Sequence, residues 1–242
     1  MALSRFEDII LDINGVILRY STNIRGGLLP ARTIKNILDS PDWHCYEKGK
    51  ISQEASVKAI ASRYGLSQTD WEAATEELKS TLDENLSFIA AIAYLKSCYS
   101  HIRVHAFTNM TSPDYKYLKA RMENWHIFDN IVTSSSIGHR KPDAEFFKRA
   151  LQAVDAEAET SVFVDDRREN VIMAHSLGMR AILFDSTSKV ISQLHNCLGD
   201  PIDRGYSFLC DRKKGIHSET DHGVLITDNF SQLLVLQCIG NK

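Results

Sequence analysis

The chain carries only five prolines and five cysteines in 242 residues, and no large excess of charge of either sign. Nor does it hold an apolar run long enough for a bilayer, which takes about 20 consecutive residues, so no membrane span is expected. A formal net charge of -3 without a basic stripe leaves no electrostatic footprint for nucleic acid. The cysteines are Cys45, Cys98, Cys197, Cys210 and Cys238. None forms a CxxC pair and their number is odd, which argues against a zinc site or a disulfide framework; a reducing cytoplasmic setting is the simplest compartment. There is no internal repeat and no low-complexity segment. The N-terminal MALSRFEDIILDI has acids within its apolar stretch and no small-residue cleavage site, so it reads as a first strand and not as a signal peptide.

What is present is ordinary globular material, 43% hydrophobic and 24% charged, in a length that suits a core domain with a smaller insert. Residues 6–11 form a short apolar run ending at Asp12, as a buried strand does. Helical spacing follows over residues 30–38, 52–64, 67–78 and 84–98, with Ser52 and Ser67 placed to cap two of these helices. Strands then alternate with helices. Strands are expected at 102–107, 131–133, 161–164 and 180–184, with helices at 113–122, 143–154, 170–177 and 190–198. Gly178 stands where a helix closes. Such alternation predicts an α/β fold, a parallel sheet with helices on both faces. The helices inserted after the first strand predict a small cap near the strand ends. The expected division is a core of residues 1–20 and 98–242 with a helical cap of 21–97. The apolar segment 229–239 is expected to be a strand or a docking helix.

Four pieces of sequence carry chemistry. They are Asp12-Ile13-Asn14-Gly15-Val16, Thr108-Asn109, Lys141-Pro142-Asp143, and Phe163-Val164-Asp165-Asp166 followed by Glu169-Asn170. Each alone is weak, since a strand-end aspartate is usually a cap or turn residue and a Lys-Pro pair usually a solvated helix start. In this order and on these elements they resemble the four signature motifs of the haloacid dehalogenase (HAD) superfamily. The resemblance implies a Rossmann-like core. It also implies a magnesium ion held by Asp12, the backbone carbonyl of Asn14, and Asp166 with Asp165. Carboxylates gathered at strand ends repel one another unless a cation lies between them, and a hard oxygen set suits magnesium. Lys141 would balance their charge and hold phosphate, with Thr108, Asn109 and Arg167 as further substrate contacts. Asp12 would attack phosphorus and form an aspartyl-phosphate.

The sequence departs from the phosphatase pattern at Asn14. Phosphatases of the superfamily usually carry Asp there as general acid and base, although some relatives have Gly. An amide cannot exchange a proton in the working pH range, and such help is worth about 10²–10⁴-fold in rate. Further stretches, among them Ser40-Pro41-Asp42-Trp43, residues 46–53, residues 108–115, Gly199-Asp200-Pro201 and residues 228–234, are similar to fungal HAD-like proteins of terpenoid pathways. Some of those dephosphorylate prenyl diphosphates, and others are sesquiterpene synthases acting on farnesyl diphosphate. The resemblance therefore implies magnesium-dependent ionisation and cyclisation of farnesyl diphosphate, with Asp12, Asn14 and Lys141 at the reacting end. If the allylic C–O bond breaks, no protein nucleophile is needed, and suppressed hydrolysis at Asn14 favours that route. Aromatic residues of the cap would face the cation, with Trp43, Tyr46, Trp71, Phe88 and Tyr94 as candidates. Residues 165–169 also resemble the DDxxE pattern of other terpene synthases, but that string is common in ordinary HAD proteins. Two alternatives stand beside this reading: a phosphatase for a prenyl or other small organic phosphate, and a non-catalytic relative that binds phosphate. A homodimer is left open.

Overall fold

The computed structural model describes residues 6–199. In chain order its elements begin with β1 (Asp8–Leu11), β2 (Leu18–Arg19), α1 (Ala31–Leu38), α2 (Pro41–Glu47), α3 (Gln53–Tyr64) and α4 (Gln68–Ser80). Next come β3 (Asp83–Glu84), α5 (Leu86–Cys98), β4 (Arg103–Thr108), α6 (Ser112–Arg121), β5 (Asn130–Thr133), α7 (Ser134–Ile137) and α8 (Ala144–Val154). β6 (Ser161–Asp165), α9 (Arg168–Ser176), β7 (Arg180–Leu183) and α10 (Thr187–Leu198) complete it.

Five strands form one parallel sheet in the order β5-β4-β1-β6-β7, flanked by helices, which is the expected α/β, Rossmann-like arrangement. β1, β4 and β6 are buried almost throughout, and their apolar residues run nearly unbroken, as strands covered on both faces require. Ile10, Phe107 and Phe163 pack with Phe146, Phe147 and Val154 of α8 in one core cluster. The chain leaves β1 toward β4 on one side and returns to β6 on the other. The switch point therefore lies between β1 and β6, and ligands of such folds bind outside the carboxyl ends of the strands there. The register pairs Leu11 with Val164, and Asp12 N–H donates to the Val164 carbonyl at 2.9 Å. Asp12 and Asp165 thus emerge side by side. At the opposite end, the buried Asp8 is satisfied by Arg103 (2.8 and 3.0 Å) and by His105 (3.0 Å).

The helices after β1 gather around a second apolar cluster, here termed the cap. Ile37, Val57, Ile60, Trp71 and Ala74 form its core, with Trp43, Tyr64 and Leu66 packed against it. Ser52 and Ser67 cap α3 and α4 as expected, accepting from Ala55 N–H (3.2 Å) and Asp70 N–H (2.9 Å). The neck is a two-stranded antiparallel ribbon pairing Leu18 with Glu84 and Arg19 with Asp83. Asn85 ties it down, donating to the Val16 carbonyl and accepting from Arg19. This ribbon and the seven-residue α2 are absent from the sequence-based expectation. α2 also meets the sheet domain through α7, where the Ser134 hydroxyl donates to the Glu47 carbonyl at 2.6 Å. α5 packs against α10. The segment expected at 229–239 lies outside the described residues.

Candidate active site

Lys141 anchors the site. Its side chain is 1% exposed, and its ammonium donates to Asp12 Oδ1 (2.8 Å), Asp165 Oδ2 (2.6 Å) and the Phe107 carbonyl (2.6 Å). Three donors meet three acceptors, which is what a buried ammonium needs to avoid a cost of several kcal/mol. Burial favours the neutral amine, but Asp12 and Asp165 outweigh it and hold the Lys141 pKa above its ordinary value. Asn109 brackets the backbone that carries this lysine. Its amide accepts from Lys141 N–H at 2.8 Å and donates to the Lys141 carbonyl at 3.0 Å. Both ends of that amide are spent, so Asn109 positions Lys141 while lining the cavity.

The carboxylates divide their work. Asp165 is fully buried and accepts from Lys141 Nζ, from Arg167 N–H at 2.8 Å, and from Asn170 Nδ2 at 2.9 and 3.0 Å. It is an inner support and does not line the cavity. Asp12 and Asp166 do line it, together with Asn14. One oxygen of each of Asp12, Asp165 and Asp166 lies within 4.8 Å of the others. Lys141 pairs with the buried Asp12 and Asp165, and the exposed Asp166 beside them adds to a local negative excess. Burial, followed by the charges of Asp165 and Asp166, pushes Asp12 up to about 8 against the pull of Lys141. Burial and Asp165 raise Asp166 to about 6.

Gly15 completes the cradle. A Cβ there would collide with Asp166 Oδ2, and its φ of +91° is one that side-chain-bearing residues rarely adopt. The Asp166 carboxylate therefore lies against the bare α-carbon of the loop that carries Asn14. An all-oxygen donor set with uncompensated charge, packed against a glycine, fits a hard divalent cation such as magnesium. Asp12 and Asp166, which line the cavity together with Asn14, are the groups that could hold it.

Thr108, the last residue of β4, is fully buried, and its hydroxyl has no hydrogen-bond partner among the described residues. It does not line the cavity. Arg167 does, with its guanidinium drawn toward Asp39 and Glu169. Of the aromatic candidates, Trp43, Tyr46 and Trp71 line the cavity, and Trp43 meets the other two edge-on at 5.6 and 6.0 Å. Phe88 and Tyr94 do not line it; Phe88 packs on Phe184 at 5.0 Å. Sequence reasoning gave no role to Gly15 or Asn170, although both sit inside the motifs, and it passed over Tyr20, Glu47, Tyr117 and Arg140 of the wall. A basic residue directly before Lys141 was the one signal for Arg140.

Residues 33–184 match the family model described as haloacid dehalogenase-like hydrolase, and residues 202–242 match a sesquiterpene cyclase astC-like C-terminal domain. The drimenol cyclase drtB of Aspergillus calidoustus is 33% identical over 95% of this chain, but the match spans 43% of the cyclase. The sesquiterpene phosphatase astK of Aspergillus oryzae is 28% identical over 80% of this chain and 97% of its own length. Among solved structures, a HAD-like hydrolase from Porphyromonas gingivalis superposes with a TM-score of 0.64 at 20% identity, covering 82% of this chain and all of that one. A HAD family enzyme from Bacteroides thetaiotaomicron, in complex with magnesium and inorganic phosphate, gives 0.57 at 18% identity over 81% of this chain and 97% of its own. Motif order, sheet topology and these matches agree: the chain belongs to the haloacid dehalogenase-like hydrolase family.

Proposed function

We propose that this chain is a magnesium-dependent enzyme that releases phosphate from a sesquiterpenyl phosphate or diphosphate. The observation that carries this reading is Asp12 itself. It is 5% exposed, gripped by Lys141, and lines a cavity whose wall also carries the apolar and aromatic Trp43, Tyr46, Val57, Trp71 and Leu78 beside charged residues. That wall suits a hydrocarbon tail, and the strand ends suit its anionic head. The near full-length likeness to a sesquiterpene phosphatase supports the same choice. Bound magnesium would neutralise the carboxylates and polarise phosphate oxygens. Asp12 attacks phosphorus, while Lys141 offsets the charge that builds on the transferring group.

A second reading is ionisation and cyclisation of farnesyl diphosphate. Asn14 and the likeness to drimenol cyclase favour it. Two points weigh against it as the first choice. More than half of that cyclase lies outside the match. The cavity wall also carries Glu72, Lys79 and Asp114 among its apolar residues, poor company for a bare carbocation that must last through a ring closure.

The test incubates the protein with magnesium and farnesyl diphosphate or farnesyl monophosphate. Phosphate is measured together with the organic extract by gas chromatography–mass spectrometry. Phosphate with linear prenyl products supports the first reading, and cyclic terpenes replace it by the second. Release from neither substrate sinks both.

A further inference from the structure

Arg140 lines the cavity and directly precedes Lys141, so its α-carbon stands about 3.8 Å from that of the residue gripping Asp12. Its side chain is only 12% exposed. Its Nε donates to Glu47 Oε2 at 2.9 Å, and Glu47 is fixed in turn by the Trp43 indole N–H on Oε1 at 3.0 Å. A guanidinium has five donors, and among the described residues one is used here. Arg140 is thus oriented by the cap, while its terminal amino groups meet no acceptor among the described residues. Arg167 is less suited, being 48% exposed and shared between Asp39 and Glu169. A preoriented planar fork beside a phosphate site is a recognition element for a second phosphate.

Asn14 points the same way. A monophosphate ester must expel an alkoxide, which needs a proton that an amide cannot give. A diphosphate cleaved at its bridging oxygen expels a phosphate monoester instead. With a second pKa of about 6, that group leaves as a stable anion at neutral pH.

Building on the phosphate-releasing reading above, we propose that the substrate is a diphosphate ester, with its terminal phosphate at Asp12 and its inner phosphate on Arg140. Asp12 Oδ bonds to the terminal phosphorus as the bridging P–O bond breaks, and the electron pair leaves on the inner phosphate, which departs as the prenyl monophosphate. Water then attacks the aspartyl-phosphate, freeing Asp12 and orthophosphate, with its protons passing to orthophosphate and solvent. No base stands at position 14 for this second step, so it is the slow one, and the first product appears in a burst.

The experiment compares farnesyl diphosphate with farnesyl monophosphate for wild type, Arg140→Gln and Arg140→Lys. In parallel, calorimetry with magnesium measures binding of inorganic pyrophosphate and orthophosphate. Wild type should favour the diphosphate in kcat/KM and pyrophosphate in affinity, each by at least tenfold, and release farnesyl monophosphate first. Arg140→Gln should cost the diphosphate and pyrophosphate roughly tenfold to a hundredfold while moving the monophosphate and orthophosphate by less than about threefold. Arg140→Lys, which keeps the charge without the fork, should fall between, and it carries the test alone if the Gln variant does not fold. Equal losses for both classes of anion would mean that Arg140 only clamps the cap, and the proposal falls. It falls equally if wild type shows no preference for two phosphates over one. Should neither ester be turned over, the phosphate-releasing reading fails by itself, while the pyrophosphate preference still decides the role of Arg140.

Discussion

At the scale of single residues, position 14 separates what the site binds from what it can turn over. Asn14→Asp should speed the slow water step on both esters, but in the first step it should help farnesyl monophosphate by about 10²-fold and the diphosphate far less, because only the alkoxide leaving group waits for a proton. Single-turnover rates of farnesol and farnesyl monophosphate formation check this, and an equal gain in both would contradict the leaving-group argument. Gly15→Ala is a different kind of lesion. The new methyl would collide with Asp166 Oδ2, and the positive φ adds about 1–3 kcal/mol of strain. Magnesium affinity, followed by calorimetry, should fall at least tenfold; unchanged affinity would show that Asp166 is not a ligand. Asp12, Lys141 and Asp166 were legible in the sequence through the order of the pieces that carry them, which resembles the HAD motifs; each alone is weak. The separate role of Asp165 was not legible. It depends on where the Asn170 amide and the Arg167 N–H fall in three dimensions.

Among elements, the cap is where the substrate's tail is expected to be read. Trp43 lines the cavity, meets Tyr46 and Trp71 edge-on, and holds Glu47 through its indole N–H. Trp43→Phe keeps much of the apolar wall and loses that hydrogen bond, so through Arg140 it should raise the KM of farnesyl diphosphate several-fold and that of the monophosphate less, as steady-state kinetics on the two esters would show. Trp71→Ala removes a side chain that is 1% exposed from the centre of the cap and should cost about 3–5 kcal/mol in urea unfolding. A loss below 1 kcal/mol would mean that the cap core tolerates a large void. The long cap helices could be read from periodicity and serine caps. The neck strands are two residues each, too short for an alternating pattern, and α2 is barely two turns, so neither left a periodic trace. α5 was misjudged for a related reason. It is apolar all round, and a helix of that kind gives no hint whether it faces a cavity or, as here, packs on its neighbours.

For the whole molecule, the parallel sheet turns a local charge excess into a measurable property of folding. Asp12 is raised from 3.8 to about 8 and Asp166 from 3.8 to about 6, so the ionised forms are disfavoured in the fold. Stability from these two groups is present below about pH 4 and is lost as pH climbs toward 8. Without metal, the Tm contribution from the site should therefore decline between pH 5 and 8. Magnesium should reverse that decline, with a stabilisation that grows across the same window. Scanning calorimetry in chelator and in excess magnesium gives the difference, and a magnesium effect independent of pH would count against the cluster as the binding site. Strand–helix alternation was enough to foresee this sheet. The placement of β1 at its centre rests on which strands pair, and only the motif order hinted at that.

The ladder between β1 and β6 has one more consequence. Side chains alternate across a strand, so a slip of a single residue would turn Asp12 toward the opposite layer while leaving composition, charge and most of the apolar burial in place. A collapsed chain with that error would hold every ionisable group of the site and no grip on a cation. Metal uptake during refolding therefore times the moment at which these two strands lock into step.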